Sequence, residues 1–333
     1  MKKLLIFVLT MFFSLNCGTK KAPDYGQVNF GATYSQPHAE WLFAGTGRNP
    51  KCVLKMMVCD LGLKNYRLEA YCDQIQPEPN KFNTKSLDWQ LALLRDCGVR
   101  QVILCVGRKV PHWPEYHLPE WVQNLTEAEQ QQHLLKYLEK LILHYSQEPL
   151  ITAFQVENEP FYKFGIGQPY SNQAEFLEQE IALVKKLDQL KRPVIITEPG
   201  DWGRPKRAAR FGDIVGLSYY GIVYSHGFYW PNRWLYGGPK NWSANIRHWV
   251  KDPVWLTELQ AEPWGPVSIK DLSFVEASKS MDVARFMRHV NFVTDAGFTE
   301  VYFWGAEWWL YQKDQGHPEM WEAAKKVIAL GKR

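Results

Sequence analysis

Two short runs of the chain put carboxylates where a core strand should be ending. They are Gln155-Val156-Glu157-Asn158-Glu159-Pro160 and Leu256-Thr257-Glu258-Leu259-Gln260-Ala261-Glu262-Pro263-Trp264, and each follows an apolar stretch, 151–154 and 254–256. Charge is costly to bury, so acids at the end of a buried strand need a purpose. One such purpose is hydrolysis of a glycosidic bond. That reaction takes two carboxyl groups, one to donate a proton and one to act as nucleophile or base. About a hundred residues separate the runs, so only tertiary structure can bring them together.

From residue 28 onward, short apolar runs alternate with amphipathic stretches, and no linker interrupts them. Strands are predicted at 28–33, 65–70, 101–106, 151–156, 193–197, 214–219, 254–257 and 301–304, each nearly continuous and β-branched, as buried parallel strands are. Helical spacing fills the intervals. Leu134, Leu138, Leu141 and Tyr145 form one stripe, and Phe176, Leu177, Ile181, Val184 and Leu187 another. Met287, Val290 and Val293 repeat the pattern, and Trp321, Ala324 and Ile328 close it. Gly98 and Gly297, just before strands, read as helix C-caps. Eight strand–helix units predict a single-domain α/β fold, a (β/α)8 TIM barrel over 28–333. A doubly wound open sheet is the alternative, but no Gly-rich phosphate loop follows the first strand.

A barrel ends all its strands on one face, and the polar residues fall there: Arg67, Glu69 and Tyr71; Arg108 and His112; Glu157, Asn158 and Glu159; Tyr219 and Tyr220; Glu258; Trp304 and Glu307. At 46% hydrophobic, 333 residues suffice for one large core. The formal net charge of +4 includes Lys2 and Lys3 of the leader, and no basic block suggests nucleic acid as a partner. Many of the 15 Trp must belong to the core, but an aromatic-rich cleft is also a way to grip the apolar faces of sugars.

Taken with these motifs, the chain resembles the clan A glycoside hydrolases, retaining barrel enzymes with the acid/base on strand 4 and the nucleophile on strand 7. Asn158-Glu159 is similar to the clan's strand-4 Asn-Glu, and Thr257-Glu258 to its strand-7 end. Arg67, Gln74-Ile75-Gln76-Pro77-Glu78, Lys81-Phe82-Asn83 and Leu87-Asp88 resemble the clan's strand-2 region. Gln155 to Glu159 is similar to the family 35 and 42 β-galactosidases, Pro160 to family 5 cellulase-like members, and Leu217-Ser218-Tyr219-Tyr220 to the family 53 galactanases. The likeness spans most of the barrel and fits no single family.

The resemblance implies roles. Glu159 is the expected general acid/base, with a pKa raised by partial burial and by Glu258. Asn158 is expected to meet the sugar 2-hydroxyl. Glu258 is the expected nucleophile, because strand alternation gives Leu256, Glu258 and Gln260 one orientation; Glu262 is its rival, otherwise a loop residue that holds a hydroxyl or orients Trp264. Arg67 is expected to keep Glu258 ionised, the alternative being an ion pair with Glu69. Tyr220 is expected to contact the nucleophile, with Tyr219 as the fallback. Trp304 corresponds to the hydrophobic floor beneath the reacting sugar, unless it is an ordinary buried Trp. Glu157 is expected to bind a hydroxyl or to support those that do, and His112 and Trp113 to form a wall. The aromatic segment 224–242, with Phe228, Tyr229, Trp230, Trp234, Tyr236 and Trp242, suits a stacking platform, a lid or a lipid-facing surface.

No metal or cofactor is implied, and the expected partner is a carbohydrate substrate bound by a monomer. A lipid-anchored carbohydrate-binding protein on the same barrel is the alternative, although an intact pair of carboxylates is more than binding requires. A Schiff-base barrel enzyme needs a lysine at a strand end, and the sequence offers none well placed. Residues 1–17 read as an export signal: Lys2-Lys3, an apolar run from Leu4 to Leu15, then Cys17, similar to the lipid-acceptor cysteine of bacterial lipoproteins. The expected location is therefore the cell envelope, with 18–27 as a short tether, or the exterior if Cys17 is incidental. Cys52, Cys59, Cys72, Cys97 and Cys105 fit no zinc spacing, and an odd count cannot pair completely. One or two disulfides of unspecified pairing, or buried free thiols acting as small apolar residues, are the alternatives.

Overall fold

The computed structural model describes residues 23–162, 173–201, 203–232 and 235–331. The leader with Cys17, the start of the tether and Trp234 lie outside the described residues. Ten strands are described: β1 Asn29–Tyr34, β2 Asn65–Glu69, β3 Gln101–Val106, β4 Ile151–Val156, β5 Val194–Glu198, β6 Ile214–Tyr219, β7 Ile222–Ser225, β8 Phe228–Pro231, β9 Val254–Gln260 and β10 Glu300–Trp304. Eight of them, all parallel, close into a barrel in the order β1-β10-β9-β6-β5-β4-β3-β2, and β7 and β8 form a separate hairpin. This is the expected TIM barrel.

The apolar stripes predicted for the helices face inward. In the helix Glu127–Tyr145, Leu134, Leu138, Leu141 and Tyr145 are buried, and a capping box of Thr126 and Glu129 starts it. These helices press on the outward side of the strands, where Leu104, Val106, Phe154, Val156, Leu256, Leu259 and Phe303 share one apolar layer. Inside the barrel a smaller cluster of Tyr71, Ile103, Cys105, Ala153, Ile195, Ile214 and Tyr302 fills the lumen, so the barrel is a packed core that can hold side chains rigidly at its rim.

One barrel strand departs from the expected boundaries by more than a single residue. β9 continues through Gln260 instead of stopping near Thr257, because polar side chains at the rim end the apolar signal without ending the strand. β9 also carries one extra residue relative to both neighbours. Leu217 pairs with Leu256 and Ser218 with Glu258 on the β6 side, while Val301 pairs with Leu256 and Phe303 with Leu259 on the β10 side. This is a β-bulge at the position of Glu258, the kind of irregularity that re-aims a side chain.

Candidate active site

The bulge determines which way Glu258 faces. Plain alternation would place Leu256 and Glu258 on the same side, yet Leu256 packs into the outer apolar layer while Trp255 packs against the lumen cluster. The extra residue turns Glu258 inward out of phase with Leu256, which corrects the alternation argument and leaves the residue assignment as it was. Once inside, both carboxylate oxygens find donors. Arg67 Nη1 donates to Oε1 at 2.9 Å, and the Tyr220 hydroxyl donates to Oε2 at 2.8 Å.

Arg67 is fully buried and works as a hub. Besides Glu258, its Nε donates to Gln155 Oε1 at 2.8 Å, its Nη2 to Asn158 Oδ1 at 3.0 Å and its Nη1 to Thr33 Oγ1 at 3.3 Å. A planar guanidinium with several donors is suited to tying β2 to side chains of β1, β9, β4 and the loop after β4 at once. The ion pair is with Glu258 and not with Glu69. Tyr220 and Tyr219 separate cleanly: Tyr220 reaches the carboxylate, whereas Tyr219 is buried against Tyr236, Trp242 and Phe292.

Glu159 stands across from this pair at the end of β4. Its backbone N–H donates to Thr197 Oγ1 at 2.7 Å, and Ser218 Oγ donates to its Oε1 at 3.1 Å. Ser218 is also the strand partner of Glu258, so one serine ties the Glu159 carboxyl beside the strand that carries Glu258. Burial, then the charges of Glu258 and Glu115, push the Glu159 carboxyl well above the usual carboxylate range. The loops after β3 and β4 hold four of the six non-glycine residues with positive φ among the described residues: His112 at 73°, Glu115 at 70°, Glu157 at 59° and Glu159 at 41°. Each such backbone costs on the order of 1 kcal/mol, a cost characteristic of functional loops.

A second group surrounds Trp304. The indole N–H donates to Glu262 Oε1 at 3.1 Å, and the His112 ring stacks on the indole with centroids 4.2 Å apart. Gly305, with φ of 85°, makes room for this arrangement, since a Cβ there would meet Glu262 Cγ at 2.4 Å. His112 Nδ1 lies 3.3 Å from Glu69 Oε1, and His38 Nε2 lies 4.0 Å from Glu262 Oε2. Neither pair is aligned as a hydrogen bond, and these four side chains keep buried polar atoms without protein partners. Burial holds both imidazoles down, to about 3 for each, and burial followed by Glu307 pushes Glu262 up to about 8. Trp264 packs beside Tyr220, with ring centroids 5.1 Å apart.

Glu157 does not join the others. Its two oxygens accept from the backbone N–H groups of Arg108 at 2.9 Å and Lys109 at 2.8 Å, and it is 2% exposed. Its carboxylate occupies the space where Gly107, with φ of 127°, would carry a Cβ. These contacts match the supporting one of its two expected roles, and Glu157 shapes the loop after β3. His112 stacks on the Trp304 indole, while its neighbour Trp113 is 63% exposed.

Sequence reasoning missed Lys109, a fully buried lysine three residues past β3. Its Nζ donates to the backbone oxygens of Glu159 at 3.1 Å and Tyr162 at 2.9 Å, and lies 3.4 Å from Glu115 Oε2. All its donors are directed at oxygens, an arrangement for bracing the Glu159 loop and a poor one for Schiff-base chemistry. His38 and Glu115 were also missed, because both lie in loops or helix starts with no motif around them. The aromatic segment divides in two. Tyr236 and Trp242 are core, while Phe228 and Trp230 of the hairpin are 66% and 53% exposed. Gln260 anchors the hairpin to the barrel rim, accepting from Ile222 N at 3.0 Å and donating to Ile222 O at 2.7 Å.

No protein-family model and no curated protein matches the chain. Solved structures do resemble it. A GH5_18 structure from Streptomyces cattleya in complex with GlcNAc is 16% identical with a TM-score of 0.60, covering 94% of this chain and 83% of its own. A GH5_18 structure from Bifidobacterium longum subsp. infantis is 15% identical with a TM-score of 0.61, covering 92% and 79%. A family 10 endo-beta-1,4-xylanase from Gloeophyllum trabeum is 16% identical with a TM-score of 0.56, covering 92% and 97%. These are clan A glycoside hydrolases, and at such identities the likeness is one of fold.

Proposed function

We propose that the chain is a retaining glycoside hydrolase that cleaves β-glycosidic bonds by double displacement. Glu258 attacks the anomeric carbon while Glu159 delivers its proton to the leaving oxygen, so a glycosyl ester forms as the glycosidic bond breaks. Glu159, now a carboxylate, takes a proton from water, which attacks the same carbon and frees Glu258. The observation that carries this reading is the contrast between two neighbouring carboxyls. Glu258 accepts hydrogen bonds from a guanidinium and a phenol, whereas burial and negative neighbours keep the proton on Glu159.

The remaining groups fit around that pair. Asn158 Oδ1 is fixed by Arg67 and Gln155, which leaves its amide nitrogen, shared with Glu115, to meet the sugar 2-hydroxyl. Trp304 serves as the floor, and the unpartnered polar atoms of His38, Glu69, His112 and Glu262 take the other hydroxyls of the sugar above it.

A panel of aryl β-glycosides of glucose, galactose, mannose and N-acetylglucosamine tests the reading. Manβ1-4GlcNAc belongs in it, because a GH5_18 structure from Streptomyces cattleya holds that disaccharide. Glu258→Ala is expected to lower turnover of the preferred glycoside by about 10⁴-fold or more, with azide restoring it as the inverted product. Wild-type turnover in that variant would remove Glu258 from the mechanism. Sugar binding with no turnover of any member would favour the lipid-anchored binding protein.

A further inference from the structure

Five cysteines are described, and two of them meet at the opposite end of the barrel from the catalytic face. Cys59 is the last residue of the helix Pro50–Cys59, and Cys97 is the C-cap of the helix Lys85–Asp96. Their Sγ atoms are 3.5 Å apart, across 38 residues of chain. The other three are placed differently: Cys72 and Cys105 are buried, and Cys52 Sγ lies 3.5 Å from Arg48 Nη1.

We propose that Cys59 and Cys97 form a disulfide that ties these two helices together at the N-terminal face of the barrel. The geometry supports it in three ways. The sulfurs are 3.5 Å apart, so reaching the roughly 2 Å length of a disulfide needs only a short approach of the two side chains. Cys59 is exposed and Cys97 is partly covered, which gives an oxidant one sulfur to reach and leaves the other as the resolving thiol. A cavity of about 540 Å³ opens beside the pair, lined by Asp60, Leu61, Gly62, Lys64, Gly98 and Arg100. It adjoins both cysteines in sequence and gives a small disulfide room to approach.

The chemistry balances with a low-molecular-weight disulfide such as oxidised glutathione as the co-reactant. The Cys59 thiolate attacks one sulfur of the reagent and expels the first glutathione thiolate. The Cys97 thiolate then attacks the Cys59 sulfur of the mixed disulfide and expels the second. Two electrons and two protons leave the protein, and two molecules of reduced glutathione are formed. Burial and the adjacent Cys59 thiol raise the Cys97 thiol, while Lys55 and Lys64 pull it back. The greater exposure of Cys59 makes it the first to react.

The test is equilibration of the full chain in a glutathione redox buffer, followed by denaturation, counting of free thiols and mass spectrometry of non-reduced peptides. Oxidation is expected to remove two thiols and to yield one peptide pair joining Cys59 to Cys97. Cys59→Ser and Cys97→Ser are each expected to abolish that pair. Dithiothreitol is expected to lower the Tm of the oxidised wild type by several degrees, and to leave both serine variants unchanged. Thiols that stay free, or a Cys59 that carries glutathione without passing it to Cys97, would overturn the proposal.

Discussion

Arg67 and Arg192 are both buried in this barrel, one at each end of the strands, and they use the same guanidinium differently. Arg192, just before β5, donates to the Asp188 carboxylate and to the backbone oxygens of Tyr145, Ser146, Glu148 and Ile151. Most of its partners are carbonyls at the end of the helix Glu127–Tyr145 and the start of β4, where a cation also suits the helix dipole. Arg67 donates to side chains alone: Thr33, Gln155, Asn158 and Glu258. Carbonyl partners fix the path of the chain, whereas side-chain partners fix the positions of groups that can act on something else. The first arginine is a fastening and the second an alignment.

Substitutions at the two sites can break that distinction. Arg67→Lys keeps the charge and loses the fork, so turnover of a responsive glycoside is expected to fall about a hundredfold or more, with a modest change in Tm. Arg192→Met leaves Asp188 buried and several carbonyls without donors. It is expected to cost about 3–5 kcal/mol in denaturant unfolding while turnover per folded molecule stays near wild type. If the two variants behaved alike in both measurements, the contrast would be empty.

A smaller effect sharpens the comparison through pH. Burial raises Glu262 and Glu307 to about 8, above the ordinary glutamate value near 4.5. The stability that comes with those protons is therefore fully present below about 4.5 and is lost as pH rises towards 8. His38 and His112, held down to about 3, act in the opposite sense and only below about 6.5. Between pH 7 and 8.5 the carboxyls govern, so Tm is expected to decline over that range. Glu262→Gln should make the decline shallower, by on the order of 1 kcal/mol. At the Arg192 end, burial raises the Asp188 carboxyl, but the Arg192 bonds together outweigh it and hold the carboxyl below its usual range. An equal pH slope contributed by Asp188 would contradict the comparison.

The fold was legible because buried parallel strands write themselves as apolar runs, and six of the eight barrel strands begin or end where those runs do. The candidate site was legible where a motif sits at a strand end: Asn158 and Glu159, Glu258, Arg67 and Tyr220 all converge. It was illegible where position depends on a loop. The family resemblance separates Glu159 from Glu157 in role, but no spacing shows that Glu157 is clamped by two backbone N–H groups while Glu159, two residues later, accepts from Ser218. His38, Lys109 and Glu115 carry no spacing signal, because chain reversals deliver them and not periodicity.

The bulge in β9 has a consequence for how such a site is inherited. Substitutions along β9 change which side chain occupies a position, whereas the bulge sets which positions face the lumen. Straightening the bulge at unchanged length would restore plain alternation and send the Glu258 carboxylate to the side of Leu256 and the helices outside. The site thus depends on backbone register as well as on chemistry. Two chains could share every residue of this strand's composition and differ in whether the barrel has a nucleophile at all.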